Sequence, residues 1–321
     1  VQVDTVVEDQ GTLRVGEYEY ANWYYTQYGR VEGAVNLEKA LARSNDIYFY
    51  KAAEWLGPNQ LAKTARLYGL GQTTGIELAA EATGLVPDPA WKEKTLGEPW
   101  YLGNTFHFGI GQGDVLVTPL QVAQMTQAIA NNQTLCAPTL LKEMTPKCHD
   151  LGVSSTATNS VLSGMIAACS DGGTGYPLFE YNRTHFHSGT VQEKLAAGMV
   201  ACKTGTAEFG GVDARNYRKT HAWFTAIIPT AKLLEVYQAS QQSEHTATSA
   251  ATSSQDVSEL SQLHTAWVKA VQQHGFPKQL VVAVLVESSD TQPYAEGSRD
   301  AAPIVAFLLD WMAGKPTVLK Q

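Results

Sequence analysis

None of the serines in this 321-residue chain is followed three positions later by a lysine, so the sequence holds no Ser-x-x-Lys nucleophile motif. Basic residues are scarce as well. There are 23 Lys and Arg against 31 Asp and Glu, a formal net charge of −8, and no basic cluster. Nucleic-acid affinity comes largely from clustered Lys and Arg on phosphates, which excludes a nucleic-acid partner. Apolar stretches such as Leu280-Val281-Val282-Ala283-Val284-Leu285-Val286 fall far short of the roughly 20 residues needed to cross a bilayer. The chain opens on Val1, its first methionine is Met125, and no charged segment followed by an apolar one marks a signal peptide. We therefore expect a fragment of a longer protein.

Metal and nucleotide chemistry are also poorly supplied. Cys136, Cys148, Cys169 and Cys202 show neither C-x-x-C nor Cys/His ligand spacing, which argues against zinc. Cys136 and Cys148 bracket a short polar loop and could pair in an oxidising compartment, for about 3 kcal/mol. The plainer expectation is free thiols packed as small hydrophobes. His185 and His187 have no third ligand nearby and read as exposed loop. The glycine loops at 69–75 and 109–113 lack both the Gly-Lys-Ser/Thr ending of a phosphate loop and a full G-x-G-x-x-G. No cofactor and no metal site are expected.

What is present begins with a hydrophobic fraction of 44%, enough for a real core. The spacing predicts helix in two pieces from Asn36 to Gly57, with Ser44-Asn45-Asp46 at the join, and a third helix over about Gln60 to Tyr68. Thr118-Pro119-Leu120-Gln121 places a hydroxyl at the N-cap, Pro at the first helical position and Gln at the third, starting a helix that runs to about Asn131. Another helix is expected over Asn159 to Ala168, and no period is visible from Tyr176 to Met199. Strands are expected at Met199 to Glu208, Ala222 to Ile228 and Gln279 to Glu287, the last apolar enough to be covered on both faces. Pro303 to Met312 reads as a helix packed across a sheet. Between Gln238 and Gln262, 19 of 25 residues are Ser, Thr, Ala or Gln. That composition cannot offset ordering entropy, so 233–278 is expected to be a low-complexity insertion with a short helical stripe from Val257 to Val271.

The chemistry centres on Lys203-Thr204-Gly205-Thr206. In a strand, Lys203 and Gly205 share one face while Thr204 and Thr206 share the other. A cation beside a missing side chain permits close approach of another element. The hydroxyls can bind a carboxylate, and the Thr206 N–H can serve as an oxyanion donor worth roughly 3–4 kcal/mol.

Ser44-Asn45-Asp46 fits the S-x-N type of motif that accompanies K-T-G in penicillin-recognising enzymes. With Ala40 to Tyr50, Tyr68-Gly69-Leu70-Gly71, Glu81 to Pro87, Gly109-Ile110-Gly111-Gln112-Gly113, Val117 to Gln121, Lys203 to Glu208 and Glu296-Gly297-Ser298, the chain resembles the class B penicillin-binding proteins. Glu98-Pro99-Trp100-Tyr101 and the Ser-x-Asp form of the second motif favour the elongation-type group, penicillin-binding protein 2. The resemblance implies an α/β transpeptidase fold of the serine β-lactamase-like kind: an antiparallel sheet flanked by helices, plus a helical lobe. Here 1–321 would be a partial transpeptidase domain without its opening strands and nucleophile helix. It also implies D,D-transpeptidase activity on peptidoglycan stem peptides ending in D-Ala-D-Ala, through an acyl-serine. β-Lactams would bind as mimics.

Carried over by residue, Ser44 would relay protons and Asp46 would contact the substrate backbone. Lys203 would sustain a positive field, while Thr204 and Thr206, spaced by Gly205, would grip the terminal carboxylate. Partners implied are elongation-complex membrane proteins including a glycan polymerase, at the outer face of the cytoplasmic membrane or periplasm, with the anchor upstream. A fragment without the nucleophile is expected to be inactive alone. The alternatives are a non-catalytic relative that binds peptidoglycan or a partner, and a β-lactam-sensing or β-lactam-hydrolysing one.

Overall fold

In the computed structural model, residues 2–214, 217–230, 269 and 279–313 are described. The chain opens with short strands, β1 (Val7–Asp9), β2 (Thr12–Val15) and β3 (Tyr18–Ala21), followed by α1 (Trp23–Tyr28) and β4 (Gly33–Val35). β2 and β3 form a hairpin, and β1 pairs antiparallel with β4. Strands of three or four residues are too short to announce themselves by alternation, so none of these is expected from the residue pattern.

The helices that follow begin where their caps predict. Asn36 accepts from the Lys39 N–H and starts α2 (Leu37–Arg43). Asn45 accepts from the Tyr48 N–H and starts α3 (Asp46–Leu56). The third helix, α4 (Pro58–Leu67), starts at a proline two residues earlier than expected, since proline fits the first helical position. α5 (Pro89–Leu96) and α6 (Leu102–Gly109) lead to α7 (Pro119–Ala130), whose reciprocal bonds between Thr118 and Gln121 form the expected capping box. β1, β4, α2, α3 and α6 share a small core of Val7, Val35, Ala40, Ile47, Tyr48, Tyr50 and Phe106.

β5 (Thr134–Cys136) and β6 (Cys148–Asp150) then pair, and α8 (Ser155–Ala168) starts four residues before the expected point because Ser154 supplies the cap. Two six-residue helices, α9 (Phe179–Thr184) and α10 (Val191–Ala196), occupy the stretch without a clear period. Neither is long enough to display one.

The main sheet has the order β7-β8-β9, all antiparallel: β7 (Ala201–Val212), β8 (Arg218–Pro229) and β9 (Gln279–Val286). A five-residue π-helical turn, Gly297–Ala301, leads into α11 (Ala302–Met312). Strand alternation sends Cys202, Phe224, Ala226 and Ile228 into one core with Val305 and Leu309 of α11. Ala201 and Ile227, one position out of phase, join Leu162, Met165 and Ile166 of α8 on the other face. The expected architecture of a sheet flanked by helices beside a helical lobe is therefore present.

Among the described residues β9 lies at the edge of this sheet, with Leu280 to Val286 partly buried. Its apolar run meets a core on each face, as expected: Val281 touches one and Val282 and Val284 the other. One expectation needs correction. The cysteines are not free thiols. Cys136 pairs with Cys148 across the β5–β6 loop, and Cys169 at the end of α8 pairs with Cys202 in β7. The second pairing joins positions 33 residues apart, a juxtaposition created by tertiary folding alone. Apart from Lys269, the expected insertion at 233–278 lies outside the described residues, and so does the helical stripe from Val257 to Val271, save that residue.

Gly297 fixes how the π-helical turn meets the sheet. A Cβ there would lie 2.5 Å from the Gly205 carbonyl oxygen and 2.8 Å from the Gly205 nitrogen, and against the Trp223 carbonyl oxygen. Only backbone faces it, and backbone cannot move aside cheaply. Gly297→Ala is expected to destabilise the chain by roughly 1–3 kcal/mol, read from the denaturant midpoint. An unchanged midpoint would show that this contact is not tight.

Candidate active site

The site forms where the α2–α3 join meets β7. Ser44 ends α2 in the left-handed region at φ 52, a conformation that costs a non-glycine residue roughly 1–2 kcal/mol. A single residue in this conformation turns the chain sharply enough for Asn45 to cap the next helix. Asn45 is fully buried. Its carbonyl oxygen accepts from the Tyr48 N–H at 2.8 Å and its amide donates to Asp9 Oδ2 at 2.8 Å. The strained serine is thus flanked on one side by a helix end and on the other by a buried, fully engaged cap.

Across the join, Lys203 Nζ donates to Ser44 Oγ at 2.8 Å and to the Thr204 carbonyl at 2.7 Å. Removal from water pushes the Lys203 ammonium down to about 8, with the Asp46 carboxylate opposing that fall. Asp46 Oδ2 accepts from the Trp23 N–H at 2.8 Å. Burial pushes its carboxyl up to about 6. The Trp23 bond and the Lys203 charge pull it back, while the charges of Asp9 and Glu208 push the same way as burial. The structure therefore brings Ser44, Asp46 and Lys203, predicted from sequence separations of more than 150 residues, into one cluster.

Thr204, Gly205 and Thr206 continue β7 alongside. The Thr204 hydroxyl is 2.8 Å from that of Thr174, each able to donate, and Gly205 lies under Gly297. Thr206 is exposed. On the outer edge of β7, Gln112 Nε2 donates to the Thr206 carbonyl at 2.8 Å and its Oε1 accepts from the Glu208 N–H at 3.1 Å. One side-chain amide thus pairs with the strand as a neighbouring peptide group would.

Several members of this arrangement were not legible as functional residues. Thr174 belongs to no motif, and its N–H donates to the Ala42 carbonyl at 3.1 Å. Gln112 belongs to a recognisable loop but carries no chemical label. Asp9 and Asn22 are single polar residues whose burial is a tertiary fact. His185, weighed as a metal ligand, instead has Nδ1 2.9 Å from the Tyr181 carbonyl and stacks on the Tyr181 ring. Cys202, in the same strand as Lys203, is fully buried in its disulfide.

A sequence model described as the penicillin binding protein transpeptidase domain matches residues 1–258. The peptidoglycan D,D-transpeptidase MrdA of Haemophilus influenzae is 31% identical over 239 residues, covering 70% of this chain and 36% of that protein. The chain thus spans little more than a third of that relative's length. The structure of a complex between penicillin-binding protein PBP2 and MreC from Helicobacter pylori aligns with a TM-score of 0.58 at 31% identity, over 71% of this chain and 39% of the other. A structure described as the structural coordination of polymerization and crosslinking by a peptidoglycan synthase complex aligns over 100% of this chain and 44% of that one, with a TM-score of 0.68 and 27% identity.

The electrostatics of the cluster are testable in the chain itself. Because the folded pKa of Asp46 is raised from 3.8 to about 6, its favourable contribution is fully present below pH 3.8 and is lost as pH rises through about 6. Above that, the ionised form is carried at a cost. Asp46→Asn, a neutral isostere, is expected to stabilise the chain by about 1–3 kcal/mol at pH 7.5 and to leave it near the unsubstituted value at pH 4. Thermal melts of both forms across that range check it. A difference that does not depend on pH would contradict the assignment.

Proposed function

The chain belongs to the penicillin binding protein transpeptidase domain family, and from that premise we propose that it forms the substrate-gripping part of a peptidoglycan D,D-transpeptidase. The observation that carries this reading is the 2.8 Å bond between Lys203 Nζ and Ser44 Oγ. It couples the tetrad in β7 to the serine at the helix join, within reach of one bound peptide terminus.

In the reaction, a serine supplied outside the residues of this chain attacks the carbonyl carbon of the penultimate D-Ala. Its proton passes to a base, the carbonyl oxygen gains negative charge, and the peptide C–N bond breaks as the terminal D-Ala leaves with a proton on its amine. An amine of a second stem peptide then attacks the ester, releasing the serine and forming the cross-link. In this reading Ser44 carries a proton between its neighbours, which the ability of its hydroxyl to donate while accepting from Lys203 supports. Lys203 holds positive charge near the carboxylate of the departing D-Ala. Thr206 offers its hydroxyl to that carboxylate and its N–H to the oxyanion. Thr204 is tied to Thr174, which orients its hydroxyl and fixes the strand beside it. Asp46 balances Lys203 and keeps the join in register.

The whole-protein context follows by the same reading. The PBP2 of Helicobacter pylori forms a complex with MreC, and the synthase complex cited above couples polymerization to crosslinking. We propose that the protein containing this chain works with comparable partners, including a glycan polymerase. Its place is the outer face of the cytoplasmic membrane, where peptidoglycan is assembled. Both disulfides fit an oxidising compartment.

The test is covalent labelling of the full-length protein by a fluorescent penicillin. Ser44→Ala and Lys203→Ala are each expected to lower the acylation rate at least a hundredfold, whereas His187→Ala should leave it unchanged. Because Asp46 ionises near 6 and Lys203 loses its proton near 8, the rate should rise through the first value and fall above the second. Absence of labelling in the unsubstituted full-length protein would sink the reading.

A further inference from the structure

Among the described residues Asp9 is the most deeply buried carboxylate. It is 1% exposed, and among the described residues it makes no ion pair. Its charge is held by amide donors alone. Oδ1 accepts from the Gly11 N–H at 2.6 Å; Oδ2 accepts from Asn22 Nδ2 at 2.8 Å, from Asn45 Nδ2 at 2.8 Å and from the Glu32 N–H at 3.2 Å. Those four donors come from the β1–β2 turn, the N-cap of α1, the segment before β4 and the α2–α3 join. A buried carboxylate is expensive unless its lone pairs are filled. Here all the filling groups belong to segments that converge on the Ser44 side of the cleft.

Two of the donors lead directly to the cluster. Asn45 stands between Ser44 and Asp46 in the chain, and its amide is anchored to Asp9 while its carbonyl caps α3. Asn22 bridges: its amide donates to Asp9 and its carbonyl oxygen accepts from the Asp46 N–H at 3.2 Å. The next residue, Trp23, donates its own N–H to the Asp46 carboxylate. One carboxylate therefore fixes the residue between Ser44 and Asp46 and, through one amide, the backbone of Asp46 itself. A core role alone would not require these contacts to end on that dipeptide; an apolar residue of similar size would fill the volume without burying a charge.

We propose that Asp9 is a positioning residue for the transpeptidase reaction, holding Ser44 and Asp46 in register with Lys203 through Asn45 and Asn22. The inference rests on the function proposed above. Asp9 acts through geometry and through its field, since its charge also pushes the Asp46 carboxyl upward. The groups facing Asp46 are Lys203, Asp9 and Glu208, together with Tyr50, whose phenol is held above its ordinary value chiefly by burial and next by the Asp46 charge. Changing Asp9 alters one member of that set while leaving Lys203 in place.

The experiment uses Asp9→Asn in the full-length protein, with acylation by fluorescent penicillin followed between pH 4.5 and 8. Asparagine keeps the size and one carbonyl acceptor but faces at least one of the four donors with an amide. The expected result is an acylation rate ten- to a hundredfold lower at pH 7.5, since about 1 Å of misplacement can cost that much. The rise near pH 6 should also move to lower pH, because a neutral residue at position 9 no longer raises Asp46. A purely structural role predicts fewer labelled molecules and an earlier melt, with the rate and the pH profile of the labelled fraction unchanged; that outcome overturns the proposal. If Asp9→Asn does not fold, Asn22→Ala carries the test, since it cuts only the bridge to the Asp46 backbone. A rate at least fivefold lower supports the proposal and an unchanged rate overturns it. Failure of the unsubstituted protein to label would count against the transpeptidase reading, whereas normal labelling of Asp9→Asn would count only against the role of Asp9.

Discussion

A lysine ammonium held out of water against a serine hydroxyl is the constraint around which this chain is arranged. Lys203 cannot be solvated like a surface lysine, so its charge needs fixed partners: the Ser44 hydroxyl, the Thr204 carbonyl and the nearby Asp46 carboxylate. Each partner must be delivered by a different element. The α2–α3 join supplies Ser44 and Asp46, while β7 supplies the lysine and its neighbouring carbonyl. The left-handed turn at Ser44 is tolerable because the surrounding bonds over-determine it.

What holds β7 against that join is distributed over one covalent tie and several close contacts. Cys202 ties the strand to the end of α8, and α2 packs on α8 closely enough that a Cβ at Gly164 would lie 2.7 Å from Leu41 Cβ. Thr174 bonds both to Thr204 and to the Ala42 carbonyl, linking β7 to α2 through one residue. Gln112 reaches the strand from the opposite edge. The sheet itself is secured by apolar cores on both faces, so the polar attachments need only set position. This division explains how a cleft rich in polar groups sits on a chain whose stability comes from burial elsewhere.

Local chemistry was legible in the sequence and tertiary convergence was not. Asn36, Thr118 and Pro119 declare helix starts because capping acts within one turn of chain. Lys203 to Thr206 and Ser44 to Asp46 could be singled out because their residue types are unusual together and their neighbours resemble a known family. Asp9 offers no such handle: an aspartate two residues before a glycine reads as a turn, and the bond from Gly11 to its carboxylate is a turn contact of that kind. Its other partners lie 13, 23 and 36 residues away. The Cys169–Cys202 pairing, the bond between Thr174 and Thr204 and the reach of Gln112 are hidden for the same reason. Short strands such as β1 and β4 escape detection because three residues do not establish a period.

The two ionisable groups at the centre pull stability and chemistry in opposite directions. Asp46 is pushed up and Lys203 pushed down, each chiefly by burial. Between about pH 6 and 8 both nevertheless carry charge, since one has lost its proton and the other has kept it. The fold is thus least comfortable in the range where the cluster has the charges a peptide carboxylate would meet. Mutual attraction offsets part of that cost, because the Lys203 charge draws the Asp46 carboxyl down and the Asp46 charge holds the Lys203 ammonium up. The remainder falls on the scaffold, and Asp9 shows how it is met: a buried carboxylate whose four donors are all amides, spending those hydrogen bonds to keep two residues in place. A cluster optimised for stability would replace all three charges with apolar groups. That these are retained in a single connected network, with the strained serine at its centre, is what one expects where position and charge have been kept at the expense of stability.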